Sequence, residues 1–342
     1  MKRYGALNTG GRGLGTFGLV AMTILLASGC GGGQTEKRTA GTAAASEEGA
    51  ARFGGPELAD RLLAGEYERL YAQMDEGMRG AVTLDAFRET GERFTADVAA
   101  FRPSSVLTLN GRTQYVWTDD AAAKGLSATV DATGTIVGLR PLTLARHPNT
   151  DRMAAGTALL PPFRGQWLVV WGGLNELENY HYAYEAVRYA VDFVKEKDGY
   201  SFEGDPALNE SYYAYGQDVL APASGEVIAA VDGIADNAPV GKVNPQQPAG
   251  NMVAIRHANG EITTLAHLKK GSVMVKAGDR VAAGQLIGQC GNSGESTEPH
   301  LHIQTGGGDE PASAGSIPMN WTGGLELKPG IVVKGGEEEE RT

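Results

Sequence analysis

The chain has 342 residues, 42% of them hydrophobic and 21% charged. That composition suits a folded soluble body, and that length suits two domains plus connecting segments. Its formal net charge is -11, and Glu337 opens an uninterrupted run of Glu to Glu340; binding to phosphate backbones is driven by clustered Lys and Arg, so this balance excludes nucleic acid as a partner and marks the Glu run as a solvated tail.

Residues 1–29 read as an address. Lys2, Arg3 and Arg12 precede an apolar stretch over residues 14–26, which ends in the small residues Ala27, Ser28 and Gly29 before Cys30. The arrangement resembles a bacterial lipoprotein signal, although Ala27 stands where the pattern usually has Leu. The resemblance implies cleavage before Cys30 and a diacylglycerol on its thiol. A membrane-spanning anchor fits less well, because the stretch is short and interrupted by Gly13, Gly15 and Gly18. With Cys30 lipidated, Cys290 has no partner for an internal disulfide and reads as a small buried residue. An acyl chain at Cys30 places the body on a membrane, facing periplasm or exterior. Gly31 lacks the aspartate that signals inner-membrane retention in Gram-negative cells, which favours the outer membrane. Residues 30–55, nearly devoid of large apolar side chains, read as a flexible tether.

Over residues 56–145 the pattern becomes that of a small α+β domain. Leu58, Leu62, Leu63, Tyr67, Leu70, Tyr71 and Met74 fall at helical spacing, and Leu84, Phe87, Phe94 and Val98 form a second such set, predicting two amphipathic helices. Beyond Pro103 the residues alternate: Val106, Leu107 and Leu109 lead to Asn110-Gly111, a strong hairpin dipeptide, followed by Tyr115, Val116 and Trp117, then Val130, Ile136 and Val137. Two helices on a curved antiparallel sheet, ending near Leu144, are expected. The segment is similar to a small domain of unknown function that precedes cell-wall peptidases in bacterial surface proteins. It holds no His, Cys or paired-acid constellation, so it reads as a spacer or wall-binding module.

From Gln166 onward the chain reads as short strands with Gly-rich turns, over residues 167–171, 188–194, 225–231, 252–255, 262–265, 286–288 and 301–304. An antiparallel all-β body over 160–325 follows, with loops around one groove and 326–342 as an acidic tail. Five of the six histidines lie between positions 181 and 302. Along a strand His300 and His302 share one face while Leu301 and Ile303 take the other. With Asp192, His181 and His267 they offer enough donors for a three-ligand zinc site with an open position and two further imidazoles.

Five motifs occur in order: Ala221-Pro222-Ala223-Ser224-Gly225-Glu226-Val227; Thr264-Leu265-Ala266-His267-Leu268; Val275-Lys276-Ala277-Gly278-Asp279 with Val281, Gly284-Gln285 and Ile287-Gly288; Gly291-Asn292-Ser293-Gly294; and Pro299-His300-Leu301-His302. The series resembles the lysostaphin-type (LytM-like) zinc metallopeptidases, which cut peptide bonds in bacterial peptidoglycan, and the resemblance covers residues 167–304. It implies that His302 and Asp192, the end of Tyr189-Ala190-Val191-Asp192, are Zn2+ ligands and that His267 and His300 are catalytic. It implies a peptidoglycan peptide as substrate.

One position departs from that pattern. The slot four residues before the aspartate, usually histidine, holds Arg188, which cannot shed its proton to bind a metal. His181, in Asn179-Tyr180-His181, is the candidate third ligand. A hairpin over residues 180–194, turning near Ala186 and Val187, would set 181 opposite 192, and opposed residues lie about 4.5–5.5 Å apart. The reading is a membrane-tethered zinc endopeptidase. The alternative, supported by Arg188 alone, is a catalytically degenerate member of the same fold that binds cell wall or activates another hydrolase. His147 and His257 lie outside the motifs and read as structural.

Overall fold

The computed structural model describes residues 51–307 and 315–337. The expected signal, Cys30, most of the tether and the tail beyond Glu337 lie outside the described residues. The N-terminal part holds helices α1 (Leu58–Leu63), α2 (Tyr67–Gln73), α3 (Glu76–Ala81) and α4 (Leu84–Thr95), then strands β1 (Phe101–Leu109), β2 (Arg112–Asp119), β3 (Lys124–Asp131) and β4 (Ile136–Thr143). The first expected helix is thus broken in two. The break falls at Gly65, whose φ of +76° is a left-handed conformation incompatible with a continuing helix. Asp75 and Thr83 start α3 and α4 by accepting the backbone N–H groups of Met78 and Ala86. The strands form an antiparallel meander in the order β1-β2-β3-β4. Asn110 and Gly111, at φ 53° and 73°, make the β1–β2 turn that the sequence announces. Leu58, Leu70 and Phe87 on the helices, with Met74 just past α2, bury against Trp117, Leu126 and Ile136 on one sheet face.

The C-terminal part is all-β. Its strands are β5 (Ala158–Leu159), β6 (Gln166–Trp171), β7 (Val191–Val194), β8 (Asp218–Leu220), β9 (Gly225–Val231), β10 (Asn251–Arg256), β11 (Ile262–Leu268), β12 (Arg280–Val281), β13 (Leu286–Gln289), β14 (Leu301–Gly307), β15 (Gly315–Ile317), β16 (Asn320–Trp321) and β17 (Val332–Lys334). Among the described residues nine of them form one sheet in the order β12-β9-β10-β11-β14-β7-β6-β17, with β15 beside β14. The β8–β13 pair forms a second small sheet, and Val219, Ile287 and Cys290 from that region join Phe163, Trp167, Phe193, Ile255, Leu265, Leu301 and Ile303 in one core. Burying each large side chain contributes roughly 1.5–3 kcal/mol, so this interface holds the sheet without a disulfide.

Two expectations are corrected here. The segment from 326 onward is not all tail, because Leu327 and Val333 are buried and β17 pairs with β6 as the last strand of the sheet. Nor do residues 180–194 form a hairpin. Residues Tyr180–Ala183 make a 3-10 turn, and β7 begins only at Val191. The reason is topological: β7 pairs with β14 on one edge and β6 on the other, so it has no free edge for a strand at 180–186.

Candidate metal centre

Strand pairing builds the first half of the site. In the β7–β14 ladder His302 stands directly opposite Asp192, and on the other side of β14 it faces Ala266 of β11. Its Nδ1 lies 2.9 Å from Asp192 Oδ1. Leu301 and Ile303, pointing the other way, are fully buried in the core, which fixes the face on which His302 emerges. The 3-10 turn delivers the second half, setting His181 Nε2 3.5 Å from Asp192 Oδ2. Candidate ligand atoms of His181, Asp192 and His302 all lie within 4.8 Å of one another.

The outward-facing nitrogens of both imidazoles are already tied. His181 Nδ1–H donates to Asn179 Oδ1 at 2.9 Å, leaving the Nε2 lone pair toward Asp192. His302 Nε2–H donates to Gln304 Oε1 at 3.0 Å, and Gln304 in turn donates to the Ala186 carbonyl, leaving His302 Nδ1 toward Asp192. His181 Nε2, His302 Nδ1 and the Asp192 carboxylate therefore converge in a buried place, where a positive charge, a proton shared by His302 and Asp192 or a metal ion, balances the carboxylate. Two donors held about 2.0–2.2 Å from one tetrahedral ion stand about 3.3–3.6 Å apart, as His181 and Asp192 do here. The donor set, two imidazoles and one carboxylate, fits zinc.

Two more imidazoles border this cluster. His300 Nε2 is buried without a hydrogen-bond partner, 3.6 Å from Asp192 Oδ2, while its Nδ1–H donates to the Glu298 carbonyl at 2.8 Å. The His267 ring centre lies 4.8 Å from that of His300 and 5.5 Å from that of His302. Its Nδ1–H donates to the Ser293 carbonyl at 2.9 Å. His267 adopts φ 60°, in the left-handed region. The β10–β11 register shifts between Asn251 and Val253, and the His267 N–H bonds to Ala249 O outside the ladder. A bulge thus turns the ring out of the strand's alternation and toward the site, at a backbone cost of order 1–3 kcal/mol.

Burial governs the charges. It lowers His181 to about 3, only partly opposed by Asp192. Burial, with His300 and His302 nearby, also holds His267 well below the usual histidine range. For Asp192 burial acts upward, yet the imidazoles of His181, His300 and His302 together outweigh it and hold the carboxyl below the ordinary carboxylate range. His302 is opposed by burial but raised by its bond to Asp192. One positive charge, proton or metal, is accordingly held between His302 and Asp192.

All five residues expected at the site come together, but several of their supports escaped sequence reading. Asn179, fully buried, accepts both the ring and the backbone N–H of His181, and its amide donates to the Ala190 carbonyl at 3.0 Å. Its signal was available, as an Asn capping a turn two residues before a histidine. Gln304 lies two positions past His302 and so on the same strand face. Arg188 donates its Nε–H to the Tyr182 carbonyl at 3.2 Å, holding the end of the ligand-bearing turn. The Tyr182 hydroxyl bonds both oxygens of Asp151 at 2.9 Å. His257 bonds Ser224 O and Thr263 Oγ1 in a structural role, and His147 packs on the Tyr182 ring. Cys290 is fully buried, and burial pushes its thiol up, away from nucleophilic use.

An antiparallel sheet carrying a buried His-Asp-His cluster with two further imidazoles beside it offers the donor set of a metallohydrolase. Residues 212–313 match the model of peptidase family M23. The match includes His267, His300 and His302, while His181 and Asp192 precede it. The chain is 40% identical over 89 residues to the peptidoglycan DD-endopeptidase ShyC of Vibrio cholerae, covering 26% of this chain and 19% of that protein. It is 44% identical over 73 residues to ShyA of the same organism, 21% and 16% of the two chains. To the DD-carboxypeptidase/endopeptidase Mpg of Neisseria meningitidis it is 32% identical over 120 residues, 35% and 26%. The similarity thus spans about a quarter or less of these relatives' lengths. Among solved structures, the catalytic domain of lysostaphin from Staphylococcus simulans aligns with 37% of this chain and 74% of its own, at 27% identity and a TM-score of 0.24.

Proposed function

We propose that the protein is a zinc-dependent endopeptidase that hydrolyses peptide bonds in bacterial peptidoglycan, held at a membrane through lipid on Cys30. The observation that carries the reading is the convergence of His181 Nε2, Asp192 and His302 Nδ1, with the outer ring nitrogen of each imidazole tied to Asn179 or Gln304. The names of the relatives ShyC and ShyA, both peptidoglycan DD-endopeptidases, support peptidoglycan as the substrate class. Zinc bound there supplies Lewis acidity toward the scissile carbonyl and lowers the pKa of a coordinated water.

The chain's own contribution is proton handling and exclusion of solvent. His267 and His300 each commit Nδ1–H to a backbone carbonyl, so each accepts a proton only at Nε2, on the side of the metal cluster. Burial keeps His267 neutral and ready to take that proton. An imidazole protonated at Nε2 then returns the proton to the departing amine or hydrogen-bonds the oxyanion, contributions of roughly 10²–10⁴ in rate. Arg188, the basis for a non-catalytic reading, is engaged with the Tyr182 carbonyl, and His181 stands where the missing nitrogen is needed. This supports the catalytic reading.

The test is metal analysis and digestion with the purified full chain. About one zinc per chain, lost in His302→Ala, and soluble peptides released from isolated sacculi only without chelator are expected. A metal-free folded chain that leaves sacculi intact refutes the proposal. The tether has its own test, incorporation of an alkyne-bearing fatty acid that Cys30→Ala abolishes.

A further inference from the structure

The N-terminal domain, which the sequence offers only as a spacer or wall-binding module, grips the loop that carries His181. Three consecutive side chains just before Asn179 make the contact. Glu176 Oε2 lies 3.8 Å from Arg140 Nη2 on β4. Leu177, almost wholly buried, packs with Val116 of β2, Leu142 of β4 and Leu144. Gly125 of β3 leaves the space for it, since a Cβ there would stand 2.7 Å from Leu177 Cδ1. Glu178, also buried, accepts the Ser104 hydroxyl of β1 at 2.7 Å on Oε1 and the Asn175 amide at 2.6 Å on Oε2. Ser104 is itself approached by Lys328 Nζ at 3.4 Å.

The next residue is Asn179, which orients the His181 ring. Residues beside the sheet also reach this loop, through Gly172 N–H on Glu178 O and Asn179 Nδ2 on Ala190 O, but His181 itself belongs to no strand. A second contact holds the domain on the far side: Asn110 of the β1–β2 turn exchanges hydrogen bonds with Ser201 at 2.9 and 3.0 Å, and its N–H donates to Gly199 O. Two separated anchor points fix a domain's orientation where one would leave it free to pivot.

We propose that the N-terminal domain is a positioning element of the metal centre. Docking of Glu176, Leu177 and Glu178 onto its sheet holds Asn179, and through it His181 Nε2, in place, so affinity for the divalent ion depends on residues outside its ligand set. Leu177, Glu178 and Ser104 are positioning residues. The inference rests on the reading of His181, Asp192 and His302 as ligands.

The experiment measures zinc affinity of the full chain by chelator competition, together with the visible d–d spectrum of the cobalt-loaded protein, for Leu177→Ala, Glu178→Ala, Glu178→Gln and Ser104→Ala. Loss of an outer support to a ligand typically weakens metal binding about 10- to 100-fold, the loss expected for Leu177→Ala and Glu178→Ala, with a weaker four-coordinate cobalt band. Glu178→Gln, which can still pair with both Asn175 and Ser104, should stay within about threefold of the native chain. Were Leu177→Ala not to fold, Ser104→Ala carries the test, with weakening of about threefold or more expected. Folded variants that bind zinc as tightly as the native chain, with an unchanged cobalt spectrum, overturn the inference. Failure of the native chain to bind zinc, or of His302→Ala to lose it, instead refutes the ligand reading beneath it.

Discussion

Asn179→Ala is the substitution whose consequences the structure specifies most fully. The side chain is fully buried and works in two directions: Oδ1 accepts from the ring and backbone N–H of His181, and Nδ2 donates to the Ala190, Arg188 and Gly173 carbonyls. Truncation leaves the backbone and ring N–H groups of His181 and three carbonyls short of a partner, each worth roughly 1–3 kcal/mol when buried and unsatisfied. Water entering the space left by the amide recovers part of this, so a net loss of about 3 kcal/mol in unfolding free energy is expected. The ring also loses the acceptor that selects its tautomer, which should weaken zinc binding by about 10- to 100-fold, or roughly 1.4–2.7 kcal/mol. Asn179→Asp separates the two effects. It keeps the acceptor for His181 and so should retain zinc affinity within a few-fold, while the Ala190 carbonyl loses its donor and stability still falls by about 2 kcal/mol. Denaturant unfolding of the metal-free chain and competition with a chromophoric chelator read the two quantities independently. An Asn179→Ala protein that binds zinc as tightly as the native chain would refute the reasoning.

Three further outcomes follow from the same geometry. His267→Ala and His300→Ala should each keep one zinc per chain yet release peptides from sacculi at least about 10²-fold more slowly, because these rings border the cluster without belonging to it; loss of zinc in either variant would make that residue a ligand. Arg188→Ala removes the Nε–H bond to the Tyr182 carbonyl and should cost about 1 kcal/mol in unfolding free energy without abolishing zinc binding, measured by the same chelator assay. Cys290→Ala should cost about 1 kcal/mol in thermal unfolding and leave hydrolysis of sacculi intact, since the thiol is sealed in the core; an inactive, folded variant would contradict this.

The small domain shows how far local pattern reaches. Asn110-Gly111 marked its turn, and the alternation around Val116 and Trp117 marked its strands, because two-residue turns and one-sided sheets write themselves into neighbouring residues. Leu62, Tyr67 and Leu70 keep apolar spacing across Gly65, so local pattern predicts one continuous helix, and only the left-handed backbone at Gly65 divides it. The hairpin expected at 180–194 failed for a non-local reason, since both edges of β7 are taken by strands distant in sequence.

By itself the sequence determined the identity of the donors: which residues carry imidazole or carboxylate, and that His302 leaves its strand on the face opposite the apolar Leu301 and Ile303, with His300 just before the strand begins. Only the tertiary structure decided what completes the cluster. His181 reaches Asp192 from a 3-10 turn, His267 turns inward on a bulge, and the loop before Asn179 is held by a domain whose sequence contains no metal-binding residue pattern. These depend on contacts between segments tens to hundreds of positions apart, and no local periodicity encodes such contacts.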